Sequence, residues 1–266
     1  MNSFTKFAVC TAIFAGAAIA SAETVNFIQE NAFHNPTKKL LTIADGQLKT
    51  KGKVMLYSKK AFDVDPSKKY TIKVTVSGNT VKPSNIFIGY YLLDNKLRSA
   101  SAVNWQGVQD TFTQVARAAK KGDTVIYLKD ASKWESHKFI NFSLNAKEDN
   151  SDIPNRNIVK NTVASKAKNG DVWAVTLGEP LKVDLAAGAN VRQHVEGGYY
   201  YCLARTVPVG KDVTYTATVQ GRVAKAGKFN GREWPLGVAK VHFLILIDWN
   251  NTGAELTFKE MSLTIE

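Results

Sequence analysis

The chain has 266 residues, 44% of them hydrophobic, and 35 Lys and Arg against 23 Asp and Glu give a formal net charge of +12 at pH 7. That content is ample for a hydrophobic core, in one large domain or one carrying a smaller one. The lysines are spread through the chain, with doublets only at Lys38-Lys39, Lys59-Lys60, Lys68-Lys69 and Lys120-Lys121, so the charge reads as a solvated basic surface rather than a nucleic-acid site.

The first 22 residues read as a secretory signal peptide. Lys6 supplies the charged region, Phe7 to Ile19 the apolar run, and Ala20-Ser21-Ala22 the small-residue cleavage site. The run is shorter than the ~20 residues that span a bilayer, and no later stretch is long enough. Cys10 lacks the Leu and small residues that precede a lipidated cysteine. Cleavage before Glu23 leaves Cys202 as the one cysteine, which excludes an intramolecular disulfide and leaves stability to the core. The expected location is secreted, periplasmic or at the cell surface.

Period-two alternation and frequent turn residues run through the rest, and no helical stripe interrupts them. Asp63-Val64-Asp65-Pro66-Ser67 is a turn. In the strand after it Tyr70, Ile72, Val74 and Val76 face one way and Thr71, Lys73 and Thr75 the other. The centre has a different texture: KKGDTVIYLKDASKW (Lys120 to Trp134), the acidic KEDNSDIPNRN (Lys147 to Asn157), and GDVWAVTLGEPLKVDLAAGANVR (Gly170 to Arg192), with turn dipeptides at Gly122-Asp123 and Gly170-Asp171. Residues 119–194 are read as a small β-meander inserted into a larger domain formed by 23–118 and 195–266. The alternative is that its strands extend one long sandwich.

Alternation resumes with Val213, Tyr215, Ala217 and Val219 against Thr214, Thr216 and Thr218. It continues with Val241, Phe243, Ile245, Ile247 and Trp249 as a core row against Lys240, His242, Leu244 and Leu246. In the last strand Leu256 and Phe258 are out of phase with Met261, Leu263 and Ile265, which calls for a β-bulge near Lys259.

The segments AFDVDPSKKYTIKVTVSG (Ala61 to Gly78), IFIGYYLLDNK (Ile86 to Lys96), GGYYYCLARTVPVGKDVTYTATVQG (Gly197 to Gly221) and WPLGVAKVHFLILIDWNNTGAELTFKEMSL (from Trp234) resemble jelly-roll carbohydrate-binding modules of families four, nine and twenty-two. They cover somewhat over half of the mature chain. The resemblance implies an all-β, antiparallel jelly-roll β-sandwich of the galactose-binding-like kind, and a non-catalytic role recognising a poly- or oligosaccharide, as an accessory to glycoside hydrolases. Such modules often hold a structural calcium with paired aspartates near the end. Here those positions are Lys259-Glu260, which departs from the pattern that holds calcium, and no cofactor is expected.

Sugar binding needs flat apolar plates flanked by polar groups. The candidates are Tyr91 on the IFIGYYLLD strand, Trp105 among the polar or small Asn104, Gln106 and Gly107, Tyr199 and Tyr201 after the glycine pair, and Trp234. Lys240 and His242 point away from the core row and are candidates to donate to a glycan, Lys240 favouring acidic sugars. Trp249 is assigned to the core by parity, and Trp134 and Trp173 to the core of the insert. For calcium the weak candidates are Asp149, Asp152 and Glu260, and Asp/Asn/Ser runs before Pro154 are more simply turns.

An enzyme is not expected. Most acids sit in turns, no Asp or Glu lies isolated in an apolar strand as a buried general acid would, and no nucleophile elbow, zinc helix or phosphate loop is present. Two other readings stay open: a structural or adhesive surface protein binding another protein, and a glycan-active hydrolase or lyase, for which His242 with a tyrosine is the available pair.

Overall fold

A computed structural model describes residues 22–38, 41–78, 82–227 and 230–266. All of the expected signal peptide except Ala22 lies outside them. The first part of the chain supplies β1 (Glu23–Asn26), β2 (Phe33–His34), β3 (Leu41–Ala44), β4 (Gln47–Lys51), β5 (Val54–Ser58), β6 (Phe62–Asp63), β7 (Tyr70–Gly78), β8 (Ser84–Leu93) and the one-turn helix α1 (Ala102–Trp105). The middle supplies β9 (Thr113–Arg117), β10 (Val125–Leu128), β11 (Ile140–Leu144), β12 (Ile158–Val159), β13 (Val163–Asn169), β14 (Val172–Leu177) and β15 (Asn190–Val195). The last part supplies β16 (Tyr200–Val207), β17 (Asp212–Val219), β18 (Lys240–Ile247) and β19 (Glu255–Ile265).

The protein is an all-β antiparallel sandwich. One sheet runs β17-β7-β19-β4-β3 with β1 against β19, and the facing sheet runs β16-β8-β18-β5-β2 with β6 against β18. Their central strands, β17-β7-β19-β4 over β16-β8-β18-β5, follow jelly-roll order. Alternation dictates which side chains meet. Ile72, Val74 and Val76 of β7, Ile86, Ile88 and Tyr90 of β8, Val241, Phe243 and Ile245 of β18, and Leu256, Phe258 and Leu263 of β19 form one buried core. Two local devices shape it. The Tyr70 hydroxyl donates to the Asp63 carbonyl and accepts from the Asp65 N–H, both at 2.7 Å, pinning the turn before β7. Between Phe258 and Glu260 the register of β19 against β7 slips by one residue, which reconciles its two apolar phases.

A seven-stranded sheet, β12-β11-β15-β9-β10-β14-β13, stands between β8 and β16 in the chain. It encloses its own core of Val115, Ile126, Leu128, Trp134, Phe142 and Val175, with Trp173 packed at its margin. The strands between residues 119 and 194, β10 to β14 and most of β15, belong to this sheet, which also takes in β9 and Val195.

The acidic loop between β11 and β12 joins the two units. Ile153 enters the sandwich core, and Gly237, with φ of +70°, leaves no room for a Cβ, which would lie 2.4 Å from the Ile153 carbonyl oxygen. Asn104 and Asn155 exchange two hydrogen bonds of 2.8 Å. Arg156 donates to Asp94 at 3.0 Å and to the Ser99 carbonyl at 2.9 Å. Beside them Arg192, itself buried, holds Asp152 at 2.6 Å.

Candidate functional site

The outward side of the β16-β8-β18-β5-β2 sheet departs from an ordinary solvated face. Leu244 and Leu246 alternate out of the core row, yet both are fully buried. Leu244 lies between Tyr57 of β5 and Gly89 of β8, and Leu246 between Met55 and Phe87. A layer of aromatic side chains covers them. Tyr57 and Tyr91 stack with centroids 5.3 Å apart and planes 12° apart. Tyr199 meets Tyr91 at 5.6 Å and reaches across to Met55, its hydroxyl 3.7 Å from Sδ. Tyr201 continues the layer against Phe87 at 5.2 Å. These tyrosines are half-buried.

Glycine positions the outer row. A Cβ on Gly89 would lie 2.0 Å from the Tyr200 carbonyl oxygen, so a larger residue would force β16 away from β8. The register of β16 slips between Tyr201 and Leu203 beside it. Gly197 and Gly198 lead the chain from β15 into this row, and the Gly198 carbonyl accepts from the Ala102 N–H at 3.0 Å.

Two histidines border the layer. His34 packs on Tyr57 at 4.9 Å. His242 meets Tyr57 at 5.7 Å and Tyr91 at 6.1 Å. Its Nδ1 is 2.6 Å from the Ser58 carbonyl oxygen, so that nitrogen carries the proton. Burial lowers the His242 pKa below the ordinary imidazole value and keeps the ring neutral at pH 7. Lys240 is bound to Asp63 at 2.5 Å, so its charge is already answered.

Of the residues picked out in the sequence, the face brings together Tyr91, Tyr199, Tyr201, His242 and, at its border, Lys240. It does not include the two tryptophans. Trp105 is only 2% exposed, because α1 turns Ala102, Val103 and Trp105 inward while Asn104 faces the Asn155 carbonyl. Trp234 is fully buried, edge-on to Tyr70 at 5.0 Å and Tyr90 at 4.9 Å. Neither offers a plate to a ligand. Trp249 errs the other way: Asp248 adopts a left-handed φ of +50°, which ends the alternation and leaves the indole 37% exposed under the Lys53 ammonium at 4.1 Å. Tyr57, Phe87, Met55 and His34 were missed. The signal for the first was present in VMLYS, where Val54 and Leu56 alternate with Met55 and Tyr57.

The calcium candidates are dispersed. The Asp152 carboxylate is taken by Arg192, Glu260 pairs with Lys73 at 3.0 Å, and Asp149 accepts from the Ser151 N–H in a turn. Among the described residues no group of three His, Cys, Asp or Glu gathers as a metal site. A recess of about 350 Å³ at the junction of the two units is lined by Val108, Phe112, Glu148, Arg192 and Lys225. Its guanidinium is spent on Asp152, Asn150 and the Lys147 carbonyl, and its rim mixes both signs of charge. No helix among the described residues is long and apolar enough to cross a membrane. No family model matches the chain, and no curated protein is significantly similar to it in sequence.

Proposed function

We propose that this protein is a non-catalytic glycan-binding protein whose site is the outward face of the β16-β8-β18-β5-β2 sheet. One observation carries the reading: Tyr57, Tyr91, Tyr199 and Tyr201 form a continuous half-exposed layer across strands that would otherwise carry solvated polar side chains. Pyranose rings present C–H faces that settle on aromatic plates, and phenol hydroxyls at the plate edges meet sugar hydroxyls. A sheet holds such plates in fixed register, so little conformational freedom is lost on binding.

A hydrolase would need two carboxylates across the scissile bond. At the outward strand positions of this sheet the single described carboxylate is Asp63, and it is ion-paired with Lys240. This favours recognition over chemistry. Affinity electrophoresis of the purified protein through gels containing neutral and acidic polysaccharides tests the reading. Retardation by at least one glycan, lost in Tyr57→Ala/Tyr91→Ala, is expected. Free migration in every gel would sink it.

A further inference from the structure

Charge is unevenly placed around the aromatic layer. Met55 and Tyr57 form the outward row of β5, and the exposed Lys53 and Lys59 flank that strand directly, one cation at each end of an apolar centre. The two lysines are six residues apart, a span of roughly 20 Å at strand rise. Neither is in an ion pair with a described carboxylate: the Lys53 ammonium sits over the Trp249 ring at 4.1 Å, and Lys59 donates to the neutral Asn31 amide oxygen at 3.3 Å. Many other lysines do have acidic partners, among them Lys51 with Glu255, Lys69 with Glu266, Lys73 with Glu260 and Lys259 with Asp212. At the outward strand positions of the aromatic face Asp63, the one described carboxylate, is spent on Lys240.

We infer that the ligand is an anionic polysaccharide, bound as an extended chain over the tyrosine layer with acidic groups meeting Lys53 at one end of the β5 row and Lys59 at the other. This rests on the glycan-binding reading above and specifies its substrate class. With Asp63 paired, no free described carboxylate at the outward strand positions repels an acidic chain, while cations about 20 Å apart select a chain of several sugars over a single one. Carboxylate and sulfate share the relevant chemistry, a fixed negative charge on a sugar ring.

The test compares the purified protein on a neutral galactan, a carboxylated polyuronate and a sulfated galactan. Roughly tenfold stronger retention by one or both acidic polymers is expected, shrinking as ionic strength rises from about 0.1 M to about 1 M and the screening length falls from ~10 Å to ~3 Å. Lys53→Gln and Lys59→Gln should each weaken that retention about two- to fivefold, as fits an exposed charge. Lys168→Gln, on the remote edge strand β13, should leave it unchanged. Equal retention by neutral and acidic polymers without salt dependence overturns the anionic inference and leaves glycan binding standing. Loss on Lys168→Gln equal to that on Lys53→Gln, or acidic binding that survives Tyr57→Ala/Tyr91→Ala, overturns it too, since net basicity then suffices. No retention by any polymer overturns the glycan reading itself.

Discussion

The two sides of one sheet carry aromatic clusters of similar geometry and opposite standing. On the inner side Tyr90, Tyr200 and Trp234 meet at 4.9 to 6.4 Å and are fully buried. On the outer side Tyr57, Tyr91, Tyr199 and Tyr201 meet at 5.3 to 6.4 Å and stay half-exposed. Ring spacing therefore does not separate a core from a binding surface. What separates them is what lies beyond the rings: a second sheet closes over the inner set, whereas the outer set is itself the last layer, roofing Leu244 and Leu246. Burial raises the Tyr90 and Tyr200 hydroxyl pKa values far above the phenol range and the Tyr199 and Tyr201 values less.

The sharpest separation comes from emptying the inner cluster. Trp234→Ala should cost about 3–5 kcal/mol of stability by leaving a cavity between Tyr70 and Tyr90, with no selective loss of glycan retention in molecules that remain folded. Urea unfolding and affinity electrophoresis read the two quantities. Loss of retention at unchanged stability would merge the clusters into one site.

A pH scan should load the buried interior most. His194, fully buried, bonds through Nδ1 to the Val103 carbonyl at 2.7 Å, and its Nε2 faces Arg192 Nε at 3.4 Å, so the imidazole is neutral. Burial first, and Arg192 second, depress its pKa to about 4. An unfolded imidazole takes its proton near pH 6.5, so between these values the unfolded chain binds more protons and stability falls as pH drops. The loss from this group should total roughly 3 kcal/mol between about pH 6.5 and pH 4 and stop there. His194→Gln should flatten that slope in urea titrations; an unchanged slope would assign the acid sensitivity elsewhere.

The sequence made the rows of β7, β18 and β19 legible because a half-buried strand must alternate, and the phase change at Lys259 located the bulge. Alternation failed where the backbone left the strand. α1 buried Trp105 despite its polar neighbours, and the left-handed Asp248 swung Trp249 outward. The outer layer was only half legible for another reason. Tyr91, Tyr199, Tyr201 and His242 stand in conspicuous motifs, but Tyr57 and His34 join them only because β5 and β2 follow β18 in the sheet, and strand order is not written in local periodicity. The same holds for Lys53 and Lys59, whose significance rests on standing outside the ion pairs of the described residues.

Gly89 lies where the two clusters share backbone. Gly89→Ala forces a Cβ against the Tyr200 carbonyl, so β16 must shift, carrying inner Tyr200 and outer Tyr201 together. The expected cost is about 1–3 kcal/mol of stability with a parallel loss of retention.

The smallest stability effect belongs to the outer plates and is the most diagnostic. Tyr57→Ala removes a half-exposed ring that stacks on Tyr91 and stands opposite Leu244 across the strands. The site opens to solvent instead of leaving a closed void, so stability should fall by only about 1 kcal/mol. Retention should weaken about tenfold, equivalent to ~1.4 kcal/mol, because the lost plate is half of a stacked pair whose partner then tilts freely. Tyr57→Phe keeps the plate and removes the hydroxyl, so it should restore most of the binding. The ratio of affinity lost to stability lost would then exceed one for Tyr57 and lie near zero for Trp234. If Tyr57→Ala instead destabilises as much as Trp234→Ala and leaves retention intact, the outer layer is a second core and the site lies elsewhere.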